Sequence, residues 1–299
     1  MTRTRSAGLA SGLLVSRRER GPMKNTKRTF EVVVSAAILL ALGAQAWAGP
    51  VGPRRDTSAA ARASSSSIAR EGAPQVARDQ DAQLKVHGKT YGEWAAEWVQ
   101  WSEAGPAGQN AITDTTGKFC AANQPKKDVW FLAGTFGGLV ERTCTIPKDR
   151  ALFYPLFESP WIDCPGTSDE DLSNAEVRSI VAGQIDAACQ LKSTLDGVAI
   201  SSLRVLIVRA QSRRFRTVLP DNPAIAGVCD PPLVGGKTGR RIVDGYWVML
   251  PPLSPGKHTL TLHGAMCAFP DPEDKSVPPD PQRGRIIFEN GVTYHLHSR

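Results

Sequence analysis

Three groups of side chains in this sequence have types and spacings that could bind a ligand or do chemistry. The first is aromatic and lies in the segment YGEWAAEWVQW, residues 91–101. At 100° per residue, Tyr91, Trp94, Trp98 and Trp101 share a helix-face arc of about 80°. Such a stripe either stacks a sugar or packs into a core, because an indole offers a large flat face and one donor. The acidic residues fall on the opposite face, which favours core packing. Trp101, near the helix end, is then the ligand-binding candidate.

The second group consists of three histidines near the C-terminus. In KHTLTLH and VTYHLH the leucines, Val292 and Tyr294 are predicted to point inward, so His263, His295 and His297 point outward. If the two strands pair, the imidazoles could converge on a metal ion. The sequence places no carboxylate beside them. We therefore predict neither a metal nor a cofactor.

The third group is the segment ESPWIDC, in which Glu158 and Asp163 flank Trp161. Glycoside hydrolysis uses two carboxyl groups about 5–10 Å apart across a cleft. Glu158 and Asp163 are the catalytic candidates on this hypothesis, and Trp161 is a ligand-binding candidate. A serine hydrolase is disfavoured because the chain has no G-x-S-x-G segment.

Capping residues predict the two helices that would position these groups. Thr90 with Glu93, and Ser173 with Glu176, are capping-box pairs, so one helix should begin at Tyr91 and the other just after Ser173.

Most of the remaining sequence predicts short strands. A hairpin is expected from 129–133 with 139–146, and Asn290-Gly291 predicts a second hairpin at the C-terminus. The predicted fold is mainly β, an antiparallel, jelly-roll-like β-sandwich with two flanking helices.

Six cysteines follow the N-terminal leader, and their even number favours disulfides in an oxidising compartment. Cys120 precedes the first predicted hairpin and Cys144 lies on its second arm, so these two are expected to pair. Cys229–Cys267 is a further expectation, and Cys164–Cys189 follows by elimination.

The N-terminal third of the chain is predicted to lie outside the folded domain. Residues 1–48 comprise an upstream stretch and a secretory signal peptide, with cleavage expected after Ala48. Residues 49–81 are rich in Ala, Ser, Arg and Pro, and they predict a disordered linker. Residues 82–299 then form one disulfide-stapled domain. Cleavage would leave no stable membrane span.

The net charge of +7 belongs mainly to the leader. Residues 1–48 contain eight Lys/Arg and two Asp/Glu, and residues 49–81 carry +1, so residues 82–299 are neutral. A neutral domain lacks the basic footprint that binding to a phosphate backbone requires. Nucleic acid is therefore not an expected partner.

Four segments resemble a group of exported, signal-peptide-bearing bacterial proteins of no assigned activity: YGEWAAEWVQW, VWFLAGTFGG, RTCTIPKDRALFYP and DGYWVMLPPLSPGKHTLTLHG. The resemblance spans residues 85–298. It implies a secreted, single-domain bacterial protein and supplies no catalytic residues.

Together these observations predict a secreted or periplasmic domain without catalytic activity that binds a glycan or a cell-envelope partner. The alternatives are an extracellular glycan-active hydrolase or lyase, a cupin-like metal enzyme, or a purely structural envelope protein.

Overall fold

The computed structural model describes residues 76–77, 83, 85–126, 128–268 and 285–299. The predicted signal peptide and nearly all of the predicted linker lie outside these residues. The described residues contain two α-helices, α1 (Tyr91–Glu103) and α2 (Asn174–Asp186). The strands, in chain order, are β1 (Val76–Ala77), β2 (Val129–Phe131), β3 (Gly138–Ile146), β4 (Ala151–Ile162), β5 (Ala188–Leu195), β6 (Val198–Ala199), β7 (Ile207–Gln211), β8 (Val218–Leu219), β9 (Gly236–Lys237), β10 (Arg241–Leu250), β11 (Gly256–Ala268) and β12 (Arg285–Ser298).

Both helices begin where the capping residues predict. The Thr90 side chain accepts a hydrogen bond from the Glu93 backbone N–H, and the Glu93 carboxylate accepts one from the Thr90 N–H. Ser173 and Glu176 make the same reciprocal pair at the start of α2. Each pair satisfies two N–H groups that the first helical turn otherwise leaves unbonded.

The strands form two mixed five-stranded sheets and a two-stranded ribbon, β8–β9. The first sheet has the order β1-β7-β10-β4-β2, and the second has the order β3-β12-β11-β5-β6. The expectation of purely antiparallel pairing is wrong, because β1–β7, β2–β4 and β3–β12 are parallel. The fold is mainly β with two helices, as predicted at that coarser level.

The hairpin predicted from 129–146 does not form. Although β2 and β3 are close in sequence, β2 pairs with β4 in the first sheet and β3 pairs with β12 in the second. The intervening glycines let the chain pass from one sheet to the other rather than fold back on itself. Gly137 and Gly138, both at positive φ, are the residues that permit this path.

The Asn290-Gly291 hairpin is also wrong, since β12 runs through both residues as one strand and pairs with β11 along its length. The Asn290 side chain is buried and, with its amide nitrogen facing two carbonyls, donates to Gly264 O at 3.2 Å and Leu156 O at 3.1 Å. Leu156 lies in the first sheet, so Asn290 ties the two sheets together. The sequence signal for a turn is overridden by this tertiary contact.

Two apolar layers hold the elements together. One lies between the sheets and contains Tyr154 and Val248 from the first sheet and Leu262 and Tyr294 from the second. The other lies between α1 and the opposite face of the first sheet. Helix α2 packs on Ile242, whose neighbour Val243 faces α1. Because adjacent strand residues point to opposite faces, the two helices lie on opposite faces of the first sheet.

Three disulfides link the described residues, which contain no free cysteine. Cys120 pairs with Cys144, as predicted. The expected pairs Cys229–Cys267 and Cys164–Cys189 are wrong, because Cys164 pairs with Cys229 and Cys189 pairs with Cys267. The correct pairs follow from tertiary placement: Ala265 lies opposite Cys189 on the adjacent strand, and Cys164 lies beside Val228.

Candidate binding face of the second sheet

The aromatic stripe of α1 is core. Trp94 and Trp98 are each 1 % exposed, and the Trp98 and Trp247 rings meet edge to face at 5.6 Å. The Trp98 indole donates to Leu132 O at 2.9 Å, and the Trp101 indole donates to Ala122 O at 2.9 Å. Trp101 is only 7 % exposed, so it has no free face on which a sugar could stack. Its assignment as a ligand-binding residue is corrected.

The Asp163 carboxylate belongs to a buried ion pair. It accepts hydrogen bonds from the Trp161 indole at 2.8 Å and from Arg240 Nη2 at 2.8 Å. Arg240 also donates to Leu172 O at 2.7 Å and Asp169 O at 2.9 Å, so the pair anchors the loop that leads into α2. Trp161 packs against the α2 side chains Val177 and Val181. The ion pair accounts for the position of Asp163, and packing against α2 accounts for that of Trp161.

Glu158 does not combine with Asp163 into a hydrolytic pair. The two are five residues apart along extended chain, which separates their Cα atoms by about 16 Å and points their side chains to opposite faces. Glu158 lies over Gly245 of β10, where a glycine is required because an added Cβ would approach Glu158 Cβ to 2.8 Å. Its Oε2 is shielded from solvent and has no hydrogen-bond partner among the described residues. Burial raises the pKa of Glu158 to about 7.

The histidines point outward as predicted, but they do not converge. His263 lies opposite Gly291, whereas His295 lies opposite Thr259 and His297 opposite Lys257. His295 Nε2 is in close contact with the Glu141 carboxylate, and His263 Nε2 lies 3.3 Å from Glu289 Oε2. In the described part of the chain, no three His, Cys, Asp or Glu side chains are gathered as metal ligands.

These histidines belong to a broad polar surface, the side of the second sheet that points away from the first sheet. We call it the outer face. Along β11 and β12, the outward-facing positions are occupied mainly by threonines and histidines. Further outward-facing threonines lie on β3 and β5. The outer face comprises Glu141, Thr143, Thr145, Lys192, Thr194, Lys257, Thr259, Thr261, His263, Gly291, Thr293, His295 and His297.

Strand register aligns these side chains in rows. One row runs Glu141, Thr293, Thr261, Thr194 across four strands that are spaced about 4.8 Å apart. The Thr194 and Thr261 hydroxyls are hydrogen-bonded at 2.7 Å, which fixes their orientation. The Thr293 hydroxyl has no partner among the described residues, so it can bond to a ligand.

The neighbouring row, Leu139, Gly291, His263, Lys192, contains a hollow of about 160 Å³. Its lining is Leu139, Val140, Thr261, Leu262, His263, Gly291, Val292 and Thr293. A Cβ on Gly291 would lie 2.9 Å from Leu139 Cδ2 and 3.3 Å from His263 Cδ2, so the absent side chain lets Leu139 and His263 approach the strand closely and line the hollow. Complete small-molecule sites span about 300–1,000 Å³, so the hollow suits one ring or side chain of a longer ligand.

The His263 ring forms a polar wall of the hollow. Its Nδ1 lies 3.1 Å from Gln190 O, and since a carbonyl only accepts, Nδ1 carries a hydrogen. Nε2 is directed to Glu289 across the adjacent strand. The ring is therefore held by β5 on one side and β12 on the other, and it presents a fixed edge to the hollow.

The alternation of apolar and polar residues in KHTLTLH and VTYHLH predicts which residues point outward. It cannot predict which strands lie side by side, because the paired residues of β3 and β12, such as Gly138 and Asn290, are 152 positions apart in the sequence. The role of Gly291 was missed, since Asn-Gly in sequence indicates a turn.

No match to a known protein decides the function of this face. No family model, no curated protein and no solved structure matches the chain. The three disulfides indicate an extracellular or otherwise non-cytoplasmic location, where thiols are not kept reduced. Among the described helices, none has the length and apolar character to cross a bilayer.

Proposed function

We propose that this chain is an exported domain without catalytic activity that binds glycan through the outer face of the second sheet. The observation that carries the proposal is the hollow over Gly291, which has an apolar rim at Leu139 and polar groups at His263 and Thr293. A sugar ring likewise has an apolar face of C–H groups and an edge of hydroxyls. Such a site needs few polar groups, provided that they are rigidly placed.

The rigidity comes from the sheet. The three strands that carry the hollow are fully paired with one another, and hydrogen bonds to Gln190 and Glu289 hold His263. Little side-chain entropy is then lost on binding. The row of hydroxyls beside the hollow extends the surface for a polymer longer than one ring.

Export through a cleaved signal peptide completes the proposal, with residues 23–48 as the signal and the periplasm or the exterior as the destination. The jelly-roll-like sandwich architecture also remains part of it. It is supported by two sheets that face each other across one apolar layer.

The proposal is tested with a glycan array on the full chain, followed by calorimetry with a hit such as chitohexaose or cellohexaose. Thr293→Val keeps the side-chain shape and removes the hydroxyl, and we expect it to weaken binding about 3–10-fold. Gly291→Ala should weaken binding further, because the added methyl group displaces Leu139 and His263, which line the hollow. Thr145→Val, on the same face but away from the hollow, is the matched control and should bind like wild type. Unchanged affinity in both Thr293→Val and Gly291→Ala would contradict the proposal.

A second candidate, an extracellular glycan-active enzyme, is favoured by Glu158 alone. A carboxyl group with a pKa of about 7 can act as a general acid at neutral pH. Release of reducing ends from a polysaccharide by wild type, and its loss in Glu158→Gln, would support this candidate. A cupin-like metal enzyme has less support, because the outward histidines are separated.

A further inference from the structure

We infer that a second surface, distinct from the outer face, docks on an anionic membrane surface. It is built on the segment from Arg214 to Leu219 and on β9. In this segment exposed and less exposed residues alternate: Arg214, Arg216 and Val218 are exposed, whereas Thr217 and Leu219 are buried. This alternation places Arg216 and Val218 on one side of the chain, and Arg214 precedes them at a bend.

Lys237 extends the same side. It pairs with Val218 across the β8–β9 ribbon, so the two side chains are neighbours. We call the set Arg214, Arg216, Val218 and Lys237 the basic ribbon. Its three cations lie on one short segment and its paired strand, in a domain whose overall charge is zero.

Contacts on its buried side hold the basic ribbon in place. Thr217 N donates to the Thr238 hydroxyl at 3.0 Å, and the Thr217 hydroxyl donates to Glu103 at the end of α1 at 3.0 Å. Leu219 packs in an apolar cluster beside the Cys164–Cys229 disulfide. The backbone that carries these cations is therefore held in place by hydrogen bonds and apolar packing.

The charges of the basic ribbon are not neutralised within the described part of the chain. Arg214, Arg216 and Lys237 have no ion pair there, in contrast to Arg209, Arg240 and Arg241, which all do. Arg213 is left out of the ribbon because it interacts with Glu93 on α1. Asp221, two residues after Leu219, lies against Gly235 just before β9.

Two exposed valine side chains lie on β8 and just before β9, in the same part of the sequence as these cations. Val218, in the basic ribbon, is 70 % exposed, and Val234, two residues before β9 in sequence, is 77 % exposed; these are the two highest values among the large apolar side chains of the described residues. Cations with adjacent exposed apolar side chains fit the boundary between lipid headgroups and acyl chains, where the charges meet anionic lipids and the apolar tips insert. A soluble polyanion would use the cations and leave both valines in water. The valines therefore favour a lipid surface.

The test is sedimentation of the full chain with vesicles of phosphatidylcholine alone or with about 30 % phosphatidylglycerol. We expect binding only to the anionic vesicles, weakened by salt. Removing the three cations as Arg214→Gln, Arg216→Gln and Lys237→Gln should lower the partition coefficient roughly 100-fold. The control replaces Lys118, Lys126 and Lys148 with Gln, which changes the net charge equally, and should stay within about twofold of wild type. Val218→Ser with Val234→Ser should weaken binding without changing its salt dependence.

Three results would overturn the inference: equal binding to both vesicle types, equal losses in the two triple variants, or binding to soluble poly-L-glutamate with none to vesicles. None of them bears on glycan binding at Gly291, because all of these substitutions lie away from the outer face. The two proposals can therefore fail separately.

Discussion

The two five-stranded sheets pack face to face, and they differ in what covers the other face of each sheet. The far face of the first sheet is covered by α1, and the layer between them contains Trp94, Trp98, Trp101 and Trp247. The outer face of the second sheet carries threonines and histidines, and both helices pack on strands of the first sheet instead. An aromatic stripe in sequence is thus a packing surface, whereas a modest Thr/His alternation marks an exposed polar surface.

The difference predicts that substitutions on the two faces will have opposite effects. Trp98→Ala removes a buried ring that contacts Trp247 and should lower the free energy of unfolding by about 3–5 kcal/mol. His297→Ala, on the exposed edge of the outer face, should change it by less than about 0.5 kcal/mol. Urea denaturation of both variants measures this. Equal stabilities for wild type and Trp98→Ala would contradict the predicted difference between the two faces.

Glu158 gives the stability of the first sheet a dependence on pH. Because its folded-state pKa of about 7 is above the ordinary value of 4.5, its contribution is fully present below pH 4.5 and lost as pH rises through 7. The free energy of unfolding should therefore fall by roughly 2–3 kcal/mol between pH 5 and 8 on account of this group.

Glu158→Gln should remove this component from a plot of unfolding free energy against pH. Glu170→Gln, at an exposed position before α2, is the matched control and should leave the plot unchanged. A Glu158→Gln variant whose plot overlays that of wild type would show that Glu158 titrates normally in the folded chain.

A smaller pH effect is expected at the turn between β5 and β6. The hydrogen bond with Asp196 raises the pKa of His258 above 6.5 and lowers that of Asp196 below 3.8. The pair therefore stabilises the fold above the unfolded pKa of Asp196, and its contribution is lost as pH rises through the folded pKa of His258.

His258→Gln should reduce stability by no more than about 1 kcal/mol at pH 6, and by less at pH 9. Thermal melts at the two pH values measure the difference. A larger loss at pH 9 than at pH 6 would have the wrong sign for this pair.

Local signals were enough to predict the helices, the burial of Trp94 and Trp98 and the outward direction of the histidines. Capping pairs and side-chain periodicity act over a few residues, so they can be recognised in sequence. The failures concern contacts between distant segments. The Cys189–Cys267 disulfide and the pairing of β3 with β12 both depend on how the sheets assemble. Asn290-Gly291 failed for the same reason, because Asn290 bonds across to Leu156.

The location of glycan binding is the central claim, and NMR titration tests it most directly. A ¹⁵N-labelled full chain would be titrated with the best array ligand while the backbone amides and the indole N–H signals are followed. We predict shifts centred on Thr261, His263, Gly291 and Thr293, with the indole signals of Trp94 and Trp98 unmoved. Shifts concentrated at those two indoles, with the outer face unchanged, would contradict the account.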